Sequence, residues 1–162
     1  MLFDQDAGFM RMAIEASRDA VIAGDMPFGA VLVHSGAVWH VSRNNQRTQR
    51  ELTGHAEVAL LREASARLGL SSLRGTTVYA SGEPCPMCSG AIFWAGVARV
   101  VYAATAADII DALGGPALPA RTADCLAQAR PAVAVDGPLL RDEAIAVLRW
   151  FATREAQSLT KD

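Results

Sequence analysis

Two short clusters in the sequence contain the residue types best suited to chemistry. One is His55-Ala56-Glu57, and the other is Pro84-Cys85-Pro86-Met87-Cys88. Imidazole nitrogens and thiolate sulfurs bind zinc well, and a catalytic zinc site usually has about three protein ligands and one open position. Cysteines three positions apart lie on one turn of a helix, so their sulfurs can converge on a single ion. The pattern therefore predicts a Zn²⁺ site formed by His55, Cys85 and Cys88.

Glu57 is predicted to be the catalytic residue beside this ion. It lies two residues after His55, which places its carboxylate near the metal without making it a ligand. Zinc lowers the pKa of a bound water from about 15.7 to about 7. Glu57 would accept the proton released by this water and pass it to the substrate, which is general acid–base catalysis.

Two simpler interpretations apply to the cysteine pair when it is taken alone. A Cys-x-x-Cys segment can be a redox pair or half of a structural zinc site. A structural site would need a fourth protein ligand, and a redox pair would have no use for His-x-Glu upstream. The full pattern, His-x-Glu followed by Pro-Cys-x-x-Cys, is the signature of hydrolytic zinc deaminases that act on nucleobases. In that chemistry water adds to an amino-bearing ring carbon, the carboxylate protonates a ring nitrogen and then the leaving amine, and ammonia is released.

Helix-like and strand-like segments alternate along the chain and would position both clusters. Helices are predicted at residues 7–23, 55–68, 86–95, 106–113 and 141–157, strands at 28–34, 37–42, 76–80, 99–103 and 132–135, and loops at 44–53 and 114–119. The pair Ser35-Gly36 between the first two strands predicts a hairpin turn. Each chemical cluster begins a helix. The alternation predicts an α/β sandwich with parallel strand pairing in the second half of its sheet.

Composition predicts a single globular domain over residues 1–162. Apolar residues make up 51% of the chain and charged residues 20%, which is typical of a folded protein. The formal net charge is −2 and no basic run occurs, which favours a small neutral substrate over a nucleic acid. Three cysteines do not indicate a disulfide framework, and Cys125 is expected to be buried. Signal-peptide and membrane-spanning patterns are lacking, so we expect a cytoplasmic protein with no membrane partner.

The sequence resembles the cytidine/deoxycytidylate deaminase superfamily over nearly the entire chain. The resemblance is densest at residues 26–33 (MPFGAVLV), 53–57 (TGHAE) and 79–92 (YASGEPCPMCSGAI). It implies a three-layer α/β/α sandwich around a mixed five-stranded sheet, and an active form that is a homodimer. Within the superfamily, Pro27-Phe28 and Phe93-Trp94 resemble bacterial guanine deaminases, with tRNA adenosine deaminases next.

The resemblance also implies four substrate-binding residues by their positions. Phe28 and Trp94 would form walls of the pocket. Asn44 would hydrogen-bond the ring, and the backbone around Ala56 would contact the base. Simpler explanations exist, because aromatic residues are often part of a core and asparagine often shapes a loop.

The identity of the substrate stays open at this point. Guanine deaminases of this type have a Phe-Asp-Asp or Phe-Asp-Glu segment whose acid assists the purine, but this chain has Gly114-Gly115 there. The resemblance favours a guanine-like purine. Cytosine, an aminotriazine, a pterin and a modified purine are the alternatives.

Two further hypotheses compete with a free base as substrate. A tRNA adenosine deaminase would need a basic face, whereas Arg149, Arg154 and Lys161 near the C-terminus are interleaved with acidic residues. A non-catalytic zinc protein of the same fold would have no use for Glu57.

Overall fold

The structure is a computed structural model that describes residues 2–118 and 120–159, so Pro119 of the predicted loop and Lys161 lie outside the described residues. The α-helices are α1 (Leu2–Ala23), α2 (Ala56–Leu68), α3 (Pro86–Ala95), α4 (Ala106–Leu113), α5 (Thr122–Leu126) and α6 (Arg141–Leu159). The β-strands are β1 (Gly29–His34), β2 (Ala37–Arg43), β3 (Thr77–Gly82), β4 (Arg99–Ala104) and β5 (Ala134–Asp136). Among the described helices, none combines the length and the apolar character needed to cross a membrane.

The five strands form one mixed sheet in the order β2-β1-β3-β4-β5. Strand β1 pairs antiparallel with β2 and β3, whereas β3 with β4 and β4 with β5 are parallel. Ser35 and Gly36 connect β1 to β2 with φ angles of 49° and 76°, and two-residue turns with positive φ match the twist of antiparallel strands. The sheet confirms the predicted α/β fold with parallel pairing in its second half.

Both faces of the sheet are covered by helices, which gives the expected three layers. Helices α1 and α6 pack on one face against a core that includes Val31, Tyr79 and Val101. Helices α2 and α3 pack on the other face against Leu32 and Val78. Because successive side chains of a strand point to opposite faces, sequence neighbours such as Val31 and Leu32 belong to different cores. This explains why the central strands are continuous apolar runs.

Two short helical segments and one burial assignment differ from the sequence-based expectations. The 3₁₀ helix Leu70–Leu73 and α5 span only four and five residues, too few to show a helical period in the sequence. Cys125 is exposed, so the expectation that it is buried was wrong. In α5 the residues four positions apart, Thr122 and Leu126, face the interior, and Cys125 lies on the other side of the same turn.

The two chemical clusters meet at one edge of the sheet. Cys85 follows the carboxyl end of β3, and His55 follows the loop that leaves β2. Strands β2 and β3 run in the same direction because each is antiparallel to β1. The carboxyl ends of such strands form the edge at which open α/β sheets bind ligands.

Candidate active site

His55, Cys85 and Cys88 come together as a three-ligand group. The Nδ1 atom of His55 lies 3.6 Å from the Sγ atoms of both cysteines, and the two Sγ atoms are 3.7 Å apart. A tetrahedral Zn²⁺ with bonds of about 2.3 Å to sulfur and about 2.1 Å to nitrogen separates its sulfurs by about 3.8 Å and its nitrogen from sulfur by about 3.6 Å. The observed spacing fits a zinc ion held by these three side chains, and no second group of this kind occurs in the described part of the chain.

The N-termini of two helices present these ligands. His55 is the N-cap of α2 and Cys85 the N-cap of α3, both with extended backbone and neither with a side-chain capping hydrogen bond. Their imidazole and thiol groups are therefore free to bind a metal. Pro86 occupies the first turn of α3, where its fixed φ suits a helix start. The positive ends of the two helix dipoles stabilise thiolates at this position.

The ionisation states of the three ligand side chains depend on one another. The hydrogen bond between the Cys85 and Cys88 side chains, assisted by that with His55, lowers the pKa of Cys85 to about 4. The hydrogen bond to Cys85, together with burial, raises the pKa of Cys88. The hydrogen bond with Cys85 also raises the pKa of His55. A divalent cation between the ligands would favour two thiolates and a neutral imidazole, because metal binding releases such shared protons.

Glu57 lies beside the ligand group without belonging to it. Its side chain is buried near the start of α2, and its Oε2 atom accepts a hydrogen bond from the Cys88 thiol at 3.4 Å. Burial raises the pKa of this carboxyl. A carboxyl group with a raised pKa can both accept and donate protons near neutral pH, which suits the predicted acid–base role.

A cavity of about 670 Å³ opens beside these residues. His55, Glu57 and Cys85 line its metal end. The other lining residues come from distant parts of the chain: Met26, Phe28, Gln46, Arg47, Gly82, Glu83, Pro84, Ala106, Ile109, Ile110, Leu113, residues 114–118, Ala120, Phe151, Ala152 and Glu155. We call residues 106–122 the covering segment; it begins with α4 and ends at the first residue of α5, and all of it except residue 119 is described. A mostly apolar cavity of this size suits a small flat molecule.

An ion pair lines the cavity away from the metal ligands. The Arg47 guanidinium donates two parallel hydrogen bonds to the Glu155 carboxylate, at 3.0 and 2.9 Å, and it stacks 5.5 Å from the ring centre of Phe151. The hydrogen bonds between them raise the pKa of Arg47 and lower that of Glu155, so both side chains are charged. The backbone N–H of Arg47 donates to buried Asp25, which fixes the loop. Both charged side chains remain nearly half exposed, so a ligand can reach them.

The structure separates the two aromatic residues that the resemblance assigned to the pocket. Phe28 lines the cavity, and its contact with a base stays a prediction. The Trp94 side chain is 84% exposed and lies outside the cavity lining of its own chain, and its contact with a base stays a prediction. A helix turns about 100° per residue, so six residues after Cys88 the Trp94 side chain points about 120° away from the metal ligand around the helix axis.

Asn44 and Ala56 are both fully buried, and neither contributes to the cavity lining. The side-chain amide of Asn44 donates to the Gln46 side chain at 2.8 Å and accepts from the Gln46 backbone N–H at 3.1 Å. Asn44 therefore shapes the loop that carries Gln46 and Arg47. Its hydrogen bond to a base, and the backbone contact around Ala56, stay predictions.

Sequence reasoning missed three charged residues that line the cavity: Arg47, Glu83 and Glu155. Glu83 stands directly before Pro84-Cys85, and this adjacency could have identified it. No sequence signal joins Arg47 to Glu155, because 108 residues separate them.

Comparison with known proteins identifies similar deaminases. Guanine deaminase of Bacillus subtilis (strain 168) is 43% identical over 105 residues, which cover 64% of this chain and 67% of the relative. The tRNA-specific adenosine deaminase of the same organism is 39% identical over 100 residues, covering 62% of each chain. A probable cytosine deaminase of Schizosaccharomyces pombe is 33% identical over 157 residues, covering 93% of this chain and 94% of the relative.

Solved structures and the family comparison agree with these relatives. The structure of a guanine deaminase from Nitrosomonas europaea matches with a TM-score of 0.79 and 29% identity over 91% of this chain and 84% of that one. Residues 3–104 match the family described as the cytidine and deoxycytidylate deaminase zinc-binding region. This match contains all three zinc ligands and Glu57. The chain therefore belongs to the cytidine and deoxycytidylate deaminase family and is a zinc-type deaminase, a hydrolase that acts on C–N bonds.

Proposed function

We propose that this chain deaminates a free nucleobase by hydrolysis, with a guanine-like purine as its substrate. The observation that carries the proposal is the position of the zinc ligands and Glu57 at one end of a cavity of about 670 Å³. Cavities of this size enclose small molecules and bury most of their surface. A free base, which has no charged phosphate, also suits a chain with a formal net charge of −2.

Different residues of the chain would bind the metal and transfer protons. His55, Cys85 and Cys88 would hold the zinc ion, which supplies a nucleophilic water of lowered pKa when bound. Glu57 accepts one proton of the attacking water at its carboxylate and delivers it to a ring nitrogen. It then accepts the remaining proton of the hydroxyl group added to the ring carbon and delivers it to the leaving amine, so that ammonia departs as the carbonyl forms. The raised pKa of the Glu57 carboxyl lets it hold the proton between these transfers.

Other lining residues would orient the ring. Phe28 offers an aromatic surface to a flat base, and stacked or edge-on ring contacts are favourable. Arg47 and Glu155 place a donor and an acceptor side by side. The edge of guanine that carries an N–H next to a carbonyl oxygen has the complementary arrangement, which favours guanine over a base with an amino group there. The similarity to two guanine deaminases supports the same choice.

Cytosine is the second candidate substrate. The probable cytosine deaminase is similar over 93% of this chain, including the part beyond residue 104. The Gly114-Gly115 pair in the cavity lining provides no carboxylate for a purine. A tRNA adenosine substrate is supported by the relative from B. subtilis, but it would require phosphate contacts that a chain with excess negative charge does not favour.

Ammonia release from a panel of compounds tests these proposals. Zinc-loaded protein would be incubated with guanine, cytosine, adenine, ammeline and a pterin, and the Glu57→Gln variant would serve as the control. We expect the highest kcat/KM with guanine. A higher value with any other base would overturn the substrate assignment. Zinc-loaded protein that releases no ammonia from any base, yet forms inosine in a tRNA anticodon loop, would overturn the proposal of a free base.

We also propose that the chain forms a homodimer through the outer face of α3. This helix exposes Trp94 and, in part, Met87, and exposed aromatic and methionine side chains are typical of protein interfaces. Light scattering coupled to size exclusion would measure the molar mass in solution. A monomer at micromolar concentration would contradict the proposal.

A further inference from the structure

Glu83 is a buried carboxylate for which the zinc chemistry has no use. Its side chain is only 1% exposed, and it lies two residues before the zinc ligand Cys85. A buried charge is costly unless hydrogen bonds or opposite charges compensate it. The partners of Glu83 therefore indicate what it does.

Those partners come from both ends of the covering segment. The Oε2 atom accepts a hydrogen bond from the backbone N–H of Ala106, the first residue of α4, at 2.8 Å. The Oε1 atom accepts from the Arg121 side chain at 3.4 Å and from the Thr122 backbone N–H, at the start of α5, at 3.3 Å. One carboxylate thus binds the beginning and the end of a segment whose middle lines the cavity.

A second contact ties the same segment to the zinc-binding turn. The buried hydroxyl of Thr122 donates to the backbone carbonyl of Pro84 at 2.7 Å, and Pro84 directly precedes Cys85. The Arg121 guanidinium also donates to the Tyr102 hydroxyl at 3.2 Å, which anchors the end of the segment to β4. The covering segment is therefore held against the residues that present a zinc ligand.

We propose that Glu83 is a positioning residue that closes the covering segment over the substrate and couples its position to the turn that carries Cys85. Its carboxylate oxygens bind donors of the protein itself, so we assign Glu83 no contact with the metal or the base. Its effect is on the shape of the cavity and on substrate affinity, whichever base is bound. Only the kinetic part of this inference rests on the proposed function.

The Glu83→Gln variant tests the proposal because it keeps the size of the side chain. An amide has only one oxygen, so its NH₂ group would replace the other oxygen of the carboxylate. At least one backbone N–H would then face a donor and lose its hydrogen-bond acceptor. Loss of one such buried partner corresponds to about a tenfold weakening or more. We expect KM to rise about tenfold while kcat and the zinc content per chain stay within about twofold of wild type.

Hydrogen exchange measured by mass spectrometry provides a readout that needs no activity. We expect faster exchange in peptides from residues 106–122 of Glu83→Gln and unchanged exchange in β3 and α2. Glu83→Asp, which keeps both oxygens on a shorter side chain, should restore part of the protection and of the affinity. Glu143→Gln is the matched control, because Glu143 is an exposed carboxylate paired with Arg11; it should leave both readouts unchanged.

Several results would overturn the inference. They are wild-type exchange in residues 106–122 of Glu83→Gln, faster exchange over the whole chain, or loss of zinc. If Glu83→Gln does not fold, Arg121→Met takes its place, because it removes an exposed side chain that donates to Glu83. Faster exchange in residues 106–122 is again the expected result, and wild-type exchange there would overturn the inference. If no base is deaminated even by the wild type, the proposed function fails, while exchange still decides the role of Glu83.

Discussion

The metal end of the cavity is formed by two short stretches of sequence, whereas its covering end is formed by residues that lie far apart in the sequence. All residues of the metal end lie between His55 and Cys88 and belong to two adjacent helix starts. The covering end combines Arg47, the covering segment and Glu155 of α6. The family match ends at residue 104, so it contains the whole metal end and none of the covering segment.

This difference indicates how one reaction can serve several substrates. Zinc ligation and proton transfer tolerate displacements of only a few tenths of an ångström, because coordination distances are fixed. Apolar walls and a half-exposed ion pair impose no such limit. The similar proteins are described as acting on guanine, tRNA adenosine and cytosine. The hypothesis that follows from our proposed function is that the metal end carries out the reaction and the covering end selects the base.

The largest expected effect is at Glu57. The Glu57→Gln variant should lose a factor of about 10²–10⁴ in turnover, because the residue moves the protons of the reaction. The loss should be similar for every base that the wild type accepts, and zinc content should not change. Ammonia release and metal analysis would measure both, with Glu63→Gln as the control, because Glu63 is a partly exposed carboxylate of the same helix that pairs with His40. A loss of turnover with only one of the bases would contradict the hypothesis that the metal end acts on every base in the same way.

Removal of zinc should be nearly as damaging to activity and should also destabilise the fold. The ion would join the starts of α2 and α3, and a ligand present at about 100 times its Kd stabilises by about 2.7 kcal/mol. For a chain of this size, chelation should lower Tm by about 5–10 °C. Differential scanning calorimetry would measure the shift, and Zn²⁺ but not Mg²⁺ should reverse it. An unchanged Tm after verified zinc loss would contradict this expectation.

Substitutions in the Arg47–Glu155 pair should have smaller effects that depend on the base. Arg47→Met and Glu155→Gln should each change the ratio of kcat/KM for guanine to that for cytosine by about three- to tenfold, because each removes one hydrogen-bonding partner. Zinc content should stay constant. Arg11→Met, in an exposed ion pair with Glu143, is the matched control. Equal losses with both bases would show that the pair does not select the substrate.

The smallest expected effect is at Trp94, which lies outside the cavity lining. Trp94→Ala should change KM by less than about twofold, because the side chain does not line the cavity of its own chain, and its main effect should be to weaken the proposed dimer. Steady-state kinetics at protein concentrations above and below the dimer dissociation constant would measure it. A tenfold rise in KM confined to the dimer would show that a second copy contributes Trp94 to the covering end.

The sequence predicted the metal end well because its determinants are local. Each determinant is visible within a few residues of sequence. These determinants are the two helix starts, the spacing of Cys85 and Cys88, and the position of Glu57 after His55. The five main helices and the five strands were also predicted, since each shows its own apolar pattern. The register of the sheet and the existence of α5 could not be predicted in this way.

The covering end could not be predicted because its contacts depend on the completed fold. Arg47 and Glu155 meet only after α6 packs against the sheet face that carries α1. The resemblance places Trp94 in the pocket by its position in the sequence, but a position in the sequence does not give the side of α3 that the residue occupies. The rotation of a helix about its axis depends on packing, and the apolar composition of α3 gave no clear direction.

The two cores share the same three central strands, and this has a consequence for insertions and deletions. Removing a single residue from β1 would send every following side chain of that strand to the opposite helical layer. Val33 would then have to fit the space shaped for Leu32, and the mismatch would occur on both sides at once. A change of even length keeps each side chain of β1 in its layer, whereas an odd change has to be absorbed at the turn of Ser35 and Gly36 or in a β-bulge, such as the one that β2 already forms opposite Leu32 and Val33.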